Sequence, residues 1–156
     1  MARRRRSRHD APLERFRAHL KSERLSWTAP RALIAELALQ TRGHFTVQDL
    51  VERVHRREPT VGRVTVYRTL ALLVASGLVA ERDFQRDRMH YEVITDRPHH
   101  EHMICLGCDR IIEFINDEIE RLQQVVAAKH DFVIVDHIHK LFGYCASCQG
   151  KLAHKP

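Results

Sequence analysis

The chain has no run approaching eighteen apolar residues, which excludes a membrane-spanning helix. Its first residues, MARRRRSRHDAPLERF, are basic but place no apolar stretch ahead of a cleavage site, so they do not read as a secretory signal. Together these absences point to a cytoplasmic protein with no membrane partner. There is no internal repeat, and the only low-complexity segment is the arginine run near the start. Cysteine is scarce: four residues, all in two CxxC pairs. In a reducing compartment that spacing belongs to metal binding rather than to a disulfide framework. At 156 residues there is room for one ordinary domain or two small ones, and nothing larger.

What is present is unevenly spread. Residues 1–24 hold nine Lys or Arg against three Asp or Glu and account for the whole net charge of +6. Residues 25–88 hold ten basic and seven acidic residues, whereas 89–156 hold seven and ten, together with eight of the twelve histidines. The first half suits a polyanion and the second is rich in metal-ligand side chains, so two domains with two tasks are expected.

Leu13, Phe16 and Leu20 follow helical spacing. In SWTAPRALIAELAL, Thr28 is a candidate N-cap, Pro30 fits the first turn, and Leu33, Ile34 and Leu37 share a face. In GHFTVQDLVERVHRR, Gly43 breaks the chain, Thr46 caps with Asp49 three residues on, and Val47, Leu50, Val51 and Val54 form the inward stripe. A further helix is expected from Pro59 and Thr60 to a stop at Gly77. In it Val66, Leu70, Leu73 and Val74 face inward, Val64, Thr65 and Arg68 face outward, and Tyr67 sits at the margin. LVAERDF and MHYEV then read as two strands joined by QRDR. Helices followed by a hairpin give the order of a winged helix-turn-helix. After the polar TDRP segment come strands HMICL and RIIEF, a helix capped by Asn116, and FVIVDHIHKLF, whose alternation predicts a strand.

The expected fold is α+β, with an N-terminal winged helix-turn-helix domain and a small C-terminal α/β domain. The boundaries are a basic disordered tail over 1–10, a winged-helix DNA-binding domain over 11–94, a hinge at 95–98, and a metal-binding domain over 99–156, to which the family resemblance given below adds dimerisation. The tail reads either as a solvated segment or as an arm contacting nucleic acid.

Cys105 and Cys108, with Cys145 and Cys148, form two knuckles that together can close a tetrahedral thiolate site, structural in kind and suited to Zn(II). Between the halves stands HHEH, residues 99–102. In an extended segment alternate side chains face opposite sides. His99 and Glu101 therefore point one way and His100 and His102 the other, so one segment can serve two ions. Imidazole and carboxylate ligands suit Fe, Mn, Co, Ni or Zn, while the sulfurs prefer zinc.

HHEHMICLGCDRIIEF resembles the HHDHxxCxxC stretch of the ferric uptake regulator family, with glutamate where aspartate is common, and VTVYRTLALLVASGLV and WTAPR resemble its recognition helix and T-x-x-R segment. The resemblance runs from about Leu25 to Cys148. It implies a homodimeric transcriptional repressor and no enzyme. The implied regulatory site is His44, Glu92, His100, His102 and Glu113, drawn from both domains, and the implied second site is His99, Glu101, Glu120 and His137. Glu120 is expected on the helix and His137 on the last strand. The favoured co-repressor is Fe(II), with Mn(II) or Zn(II) as alternatives. The family's peroxide sensors carry aspartates where Glu92 and Glu113 stand, which makes a peroxide sensor the second choice. Operator DNA is to be read by Tyr67 and Arg68, with Thr65, Arg63 and Arg31 near the backbone. Ser26 stands where many members have a lysine, a loss that the arginine-rich tail would offset. His90, His130 and His139 have no assigned role. Whether dimers pair into tetramers stays open, and the readings from other classes are a metalloenzyme and a metal store.

Overall fold

The computed structural model describes residues 10–84, 88–95 and 97–152. The tail through residue 9, most of the QRDR turn and Asp96 of the expected hinge lie outside the described residues, as does any arm contacting nucleic acid. The chain divides into two compact units, Met1–Arg97 and Pro98–Pro156.

The first unit runs α1 (Asp10–Ser22), α2 (Ala29–Leu39), β1 (His44–Thr46), α3 (Val47–Arg57), α4 (Arg63–Ala75), β2 (Val79–Arg82) and β3 (His90–Val93). Asp10, expected in the tail, opens α1. Thr28 caps α2, its hydroxyl accepting the Arg31 N–H, and Pro30 sits in the first turn where no intrahelical donor is lost. At α3 the capping box is complete: the Thr46 hydroxyl accepts the Asp49 N–H, and the Asp49 carboxylate accepts the Thr46 N–H at 2.8 Å. Phe16, Leu20, Ile34, Leu50, Val54, Val66, Leu70 and Leu73 are buried in one core shared by the four helices. α4 ends in a Schellman motif, with Gly77 at φ +66°, its N–H on Val74 O and the Leu78 N–H on Leu73 O.

Two expectations for this unit need correction. α4 starts at Arg63 with Gly62 as N-cap, so Pro59 and Thr60 form a preceding turn. The wing is a three-stranded antiparallel sheet in the order β1-β3-β2, because His44–Thr46 pairs with β3. Those three residues double as the approach to the α3 cap, which is why their strand character is invisible to periodicity.

The second unit runs β4 (Glu101–Cys105), β5 (Ile111–Phe114), α5 (Asp117–Ala128), β6 (Lys140–Gly143) and α6 (Ala146–Leu152). β4 is central: antiparallel to β5 through a tight turn and parallel to β6, which the α5 crossover makes possible. Asn116 caps α5 through two backbone N–H groups. The strand expected over FVIVDHIHKLF is confined to Lys140–Gly143, and residues 132–139, His137 among them, are irregular. Val133 and Val135 are 79% and 94% exposed. An alternating segment becomes a strand only when a partner supplies the ladder, and no described strand of this chain does so. α6, which begins within the second CxxC, was not foreseen.

Candidate metal centres and nucleic-acid interface

The four thiols converge. Their sulfurs all lie within 4.8 Å of one another, and Cys108 Sγ is 3.7 Å from Cys145 Sγ. That matches the S···S edge of a tetrahedron with metal–sulfur bonds of about 2.3 Å. The first knuckle turns at the end of β4, with Asp109 in the left-handed region (φ 57°) and its N–H on Cys105 O. Gly107 is required there: a Cβ would stand 2.8 Å from Cys148 Sγ. The second knuckle opens α6, the Cys148 N–H donating to Cys145 O. A backbone N–H from Cys145 pulls the Cys105 thiol down to about 6, and one from Cys148 lowers Cys145, whereas burial pushes Cys148 up to about 12. Without a cation the group therefore stops short of four thiolates, and a dication is what would let all four ionise. The donor set fits one.

HHEH splits by face. On one side His99 Nε2 and His137 Nε2 lie 2.6 and 2.8 Å from Glu101 Oε1 and 2.9 Å from each other. Glu120 of α5 reaches to 3.3 Å of His137 Nε2. The His139 N–H fixes the other Glu101 oxygen at 3.0 Å. Burial pushes Glu101 up, but the two imidazoles outweigh it and hold the carboxyl below its usual range. His137 is held above its ordinary value, the Glu101 and Glu120 carboxylates overcoming its desolvation. Two ring nitrogens 2.9 Å apart that converge with two carboxylates offer a donor set that suits a divalent ion. All four expected residues are together, with His137 contributed by irregular chain rather than a strand.

The five residues of the other expected set divide between the units. In the first, the β1–β3 register sets His44 opposite Glu92, with His44 Nε2 3.7 Å from Oε2. Glu92 is fully buried and also bound by Arg82 and Arg97, two partners that sequence reasoning missed. Ala80 is the cross-strand partner of Glu92, and Arg82 lies two residues along on the same sheet face, a relation visible only once the register is known. In the second unit, the His100 and His102 rings meet edge-on at 5.1 Å, and His102 pairs in register with Glu113.

On α4, Tyr67 is 50% exposed rather than marginal, and Val64 and Arg68 stand beside it in solvent. Thr65 is half-buried and Arg63 is exposed, its guanidinium donating to Gln48 Oε1. Arg31 donates to Ser26 O, which turns it toward the chain leading into α2. Gly62 supplies no side-chain cap, and the first turn of α4 holds no acidic residue.

A winged helix-turn-helix unit joined to a small α+β unit, with convergent thiols and an imidazole–carboxylate cluster, defines a winged-helix protein equipped to hold metal ions. Residues 22–142 match the model of the ferric uptake regulator family. The ferric uptake regulation protein of Campylobacter jejuni is 37% identical over 147 residues, 93% of each chain. A structure of the Helicobacter pylori ferric uptake regulator, described as having three functional metal binding sites, superposes with a TM-score of 0.85 at 26% identity, covering 92% of this chain and 95% of that one. A zinc-bound manganese uptake regulator superposes at 0.67 with 32% identity, covering 83% and 98%. The chain belongs to the ferric uptake regulator family, a family of metal-responsive regulators. Among the described residues no helix is long and apolar enough to cross a membrane.

Proposed function

We propose that the chain is a metal-responsive, DNA-binding transcriptional repressor of the cytoplasm, acting as a homodimer, with Fe(II) as the regulatory ion and Zn(II) in the thiolate site. The observation that carries this is the partition of HHEH: His99 and Glu101 are consumed by the cluster with Glu120 and His137, which leaves His100 and His102, beside Glu113, for a different ion. The family resemblance adds His44 and Glu92, which stand together in the winged-helix unit, as further ligands for that ion. His44, Glu92, His100, His102 and Glu113 would together hold a dication, whose coordination would favour one relative orientation of the two units. The chain's own residues then do the rest: His44 and Glu92 orient the wing, and His100, His102 and Glu113 anchor it. A ligand biases an equilibrium only through such differential binding. In a two-fold dimer the selected orientation sets the spacing of the two α4 helices against successive major-groove faces.

Exposed Tyr67 and Arg68 suit base edges and thymine methyls, Arg63 and the uncapped start of α4 suit phosphates, and Thr65 and Arg31 lie at the border of that contact. A second copy is the proposed cover for an open apolar groove of about 810 Å³ lined by Leu122, Val126, Phe132, Ile134 and Ile138. Glutamates at 92 and 113 favour an iron regulator over a peroxide sensor. The test is binding of promoter DNA by the zinc-loaded protein with and without added Fe(II). Tighter binding with metal supports regulation, whereas metal uptake with no DNA affinity in either state means a store.

A further inference from the structure

Glu92 is held by two cations that its proposed role as a ligand does not require. Arg82 Nε donates to Oε2 at 2.9 Å and Arg97 Nη1 donates to Oε1 at 2.9 Å, both from within the winged-helix unit. Each carboxylate oxygen thus carries at least one charge-assisted bond. Oε2, the oxygen taken by Arg82, is also the one that faces His44 Nε2 at 3.7 Å. A dication held by His44 and Glu92 would therefore draw on a carboxylate whose two oxygens already carry guanidinium bonds.

We propose that Arg82 and Arg97 form a guanidinium clamp that competes with the regulatory dication for Glu92, and so sets the metal concentration at which the site fills. This rests on the reading of Glu92 as a ligand. Three features support competition rather than assistance. A dication entering beside two guanidiniums places like charges around a single carboxylate, which weakens its binding. Both arginine side chains are about one-third exposed while Glu92 is fully buried, so the arginines have a path back to water and the carboxylate has none. A buried carboxylate without a cation is costly, and two guanidinium bonds at 2.9 Å are what compensates Glu92 inside the winged-helix unit. Clamp and ion are then two solutions to the same buried charge, and exchanging one for the other is the switching event on this side of the site.

The experiment is Mn(II) binding to full-length protein with its thiolate metal retained, reading free Mn(II) by electron paramagnetic resonance. Glu92→Gln identifies which binding phase depends on Glu92. Against that phase, Arg82→Gln, Arg97→Gln and the double variant are compared with Arg82→Lys/Arg97→Lys. Removing both charges should tighten the Glu92-dependent phase by about tenfold or more, and the lysine pair should return it toward the native value. If the glutamine variants bind as the native chain does, or more weakly, the arginines only position Glu92 and the clamp is wrong. Should the double variant fail to fold, each single variant leaves one guanidinium in place and its direction of change decides. A Glu92→Gln variant with an unaltered isotherm would remove Glu92 from the site, and the clamp with it. A lost phase combined with unshifted arginine variants removes the clamp alone.

Discussion

Gly107→Ala tests the thiolate centre without touching a ligand. The new Cβ would lie 2.8 Å from Cys148 Sγ and 3.0 Å from Cys148 Cβ. Restoring an ordinary contact of about 3.5 Å requires the sulfur to retreat by about 0.7 Å. Metal–ligand distances tolerate about ±0.2 Å, so either Cys148 leaves the coordination sphere or the knuckle is rebuilt. Losing the geometry around one ligand costs metal affinity by roughly 10–100-fold. The assay is zinc transfer to a chromogenic chelator, with Gly143→Ala as control because a Cβ there meets nothing within 4 Å. Faster release from the Gly107 variant and native behaviour of the Gly143 variant are expected. If both retain zinc as the native chain does, the four sulfurs are not closed around one ion.

Other consequences follow from the same geometry. Thr46→Ala should destabilise the winged-helix unit by about 1 kcal/mol in urea unfolding, the usual loss for an N-cap. Burial pushes the Asp49 carboxyl up, but bonds from the Thr46 N–H and hydroxyl outweigh it and lower it below 3.8. Its stabilisation is therefore full above the unfolded value and is lost as pH falls through the lowered one, so the gap between native and Asp49→Asn should close in acid below about pH 4. Arg68→Ala and Tyr67→Ala should leave the melting temperature unchanged, since both side chains are exposed, while Arg68→Ala costs about 1–3 kcal/mol of DNA discrimination in competition titrations. Val135→Lys, at a residue 94% exposed in the single chain, should shift sedimentation from dimer to monomer, and an unaltered dimer would place the interface elsewhere.

Much of this architecture was legible because local chemistry and tertiary role agree. Thr28, Thr46 and Asn116 cap the helices they precede, and the apolar stripes of α3 and α4 face the core. The alternation of HHEH puts His99 and Glu101 on one side, and the two side chains lie 2.6 Å apart, because β4 begins within that segment and strand geometry reaches it. Strand β1 was hidden because three residues carry no period, and α4 began late because Pro59 and Thr60 initiate a turn as readily as a helix. Residues 132–139 misled for a different reason: their apolar alternation encodes an exposed surface, and periodicity cannot say whether the partner strand lies in the same chain. Arg82 and Arg97 were invisible as partners of Glu92, since only the register of β2 on β3 and the turn of the chain after β3 bring them to it. Exposed Tyr67, by contrast, needed only a helical wheel drawn from the correct first residue.

The central claim is that metal links the two halves of the chain and that this link governs DNA binding. Its most direct test is DNA affinity measured across Fe(II), Mn(II) and Zn(II) titrations, with the thiolate zinc intact, for the native chain and for His44→Ala/His102→Ala. The account predicts that metal strengthens binding in the native chain, with Fe(II) effective at its physiological concentration, and that the double variant loses the response while remaining folded. DNA binding that is equally tight with and without metal, or a double variant that responds as the native chain does, would contradict it.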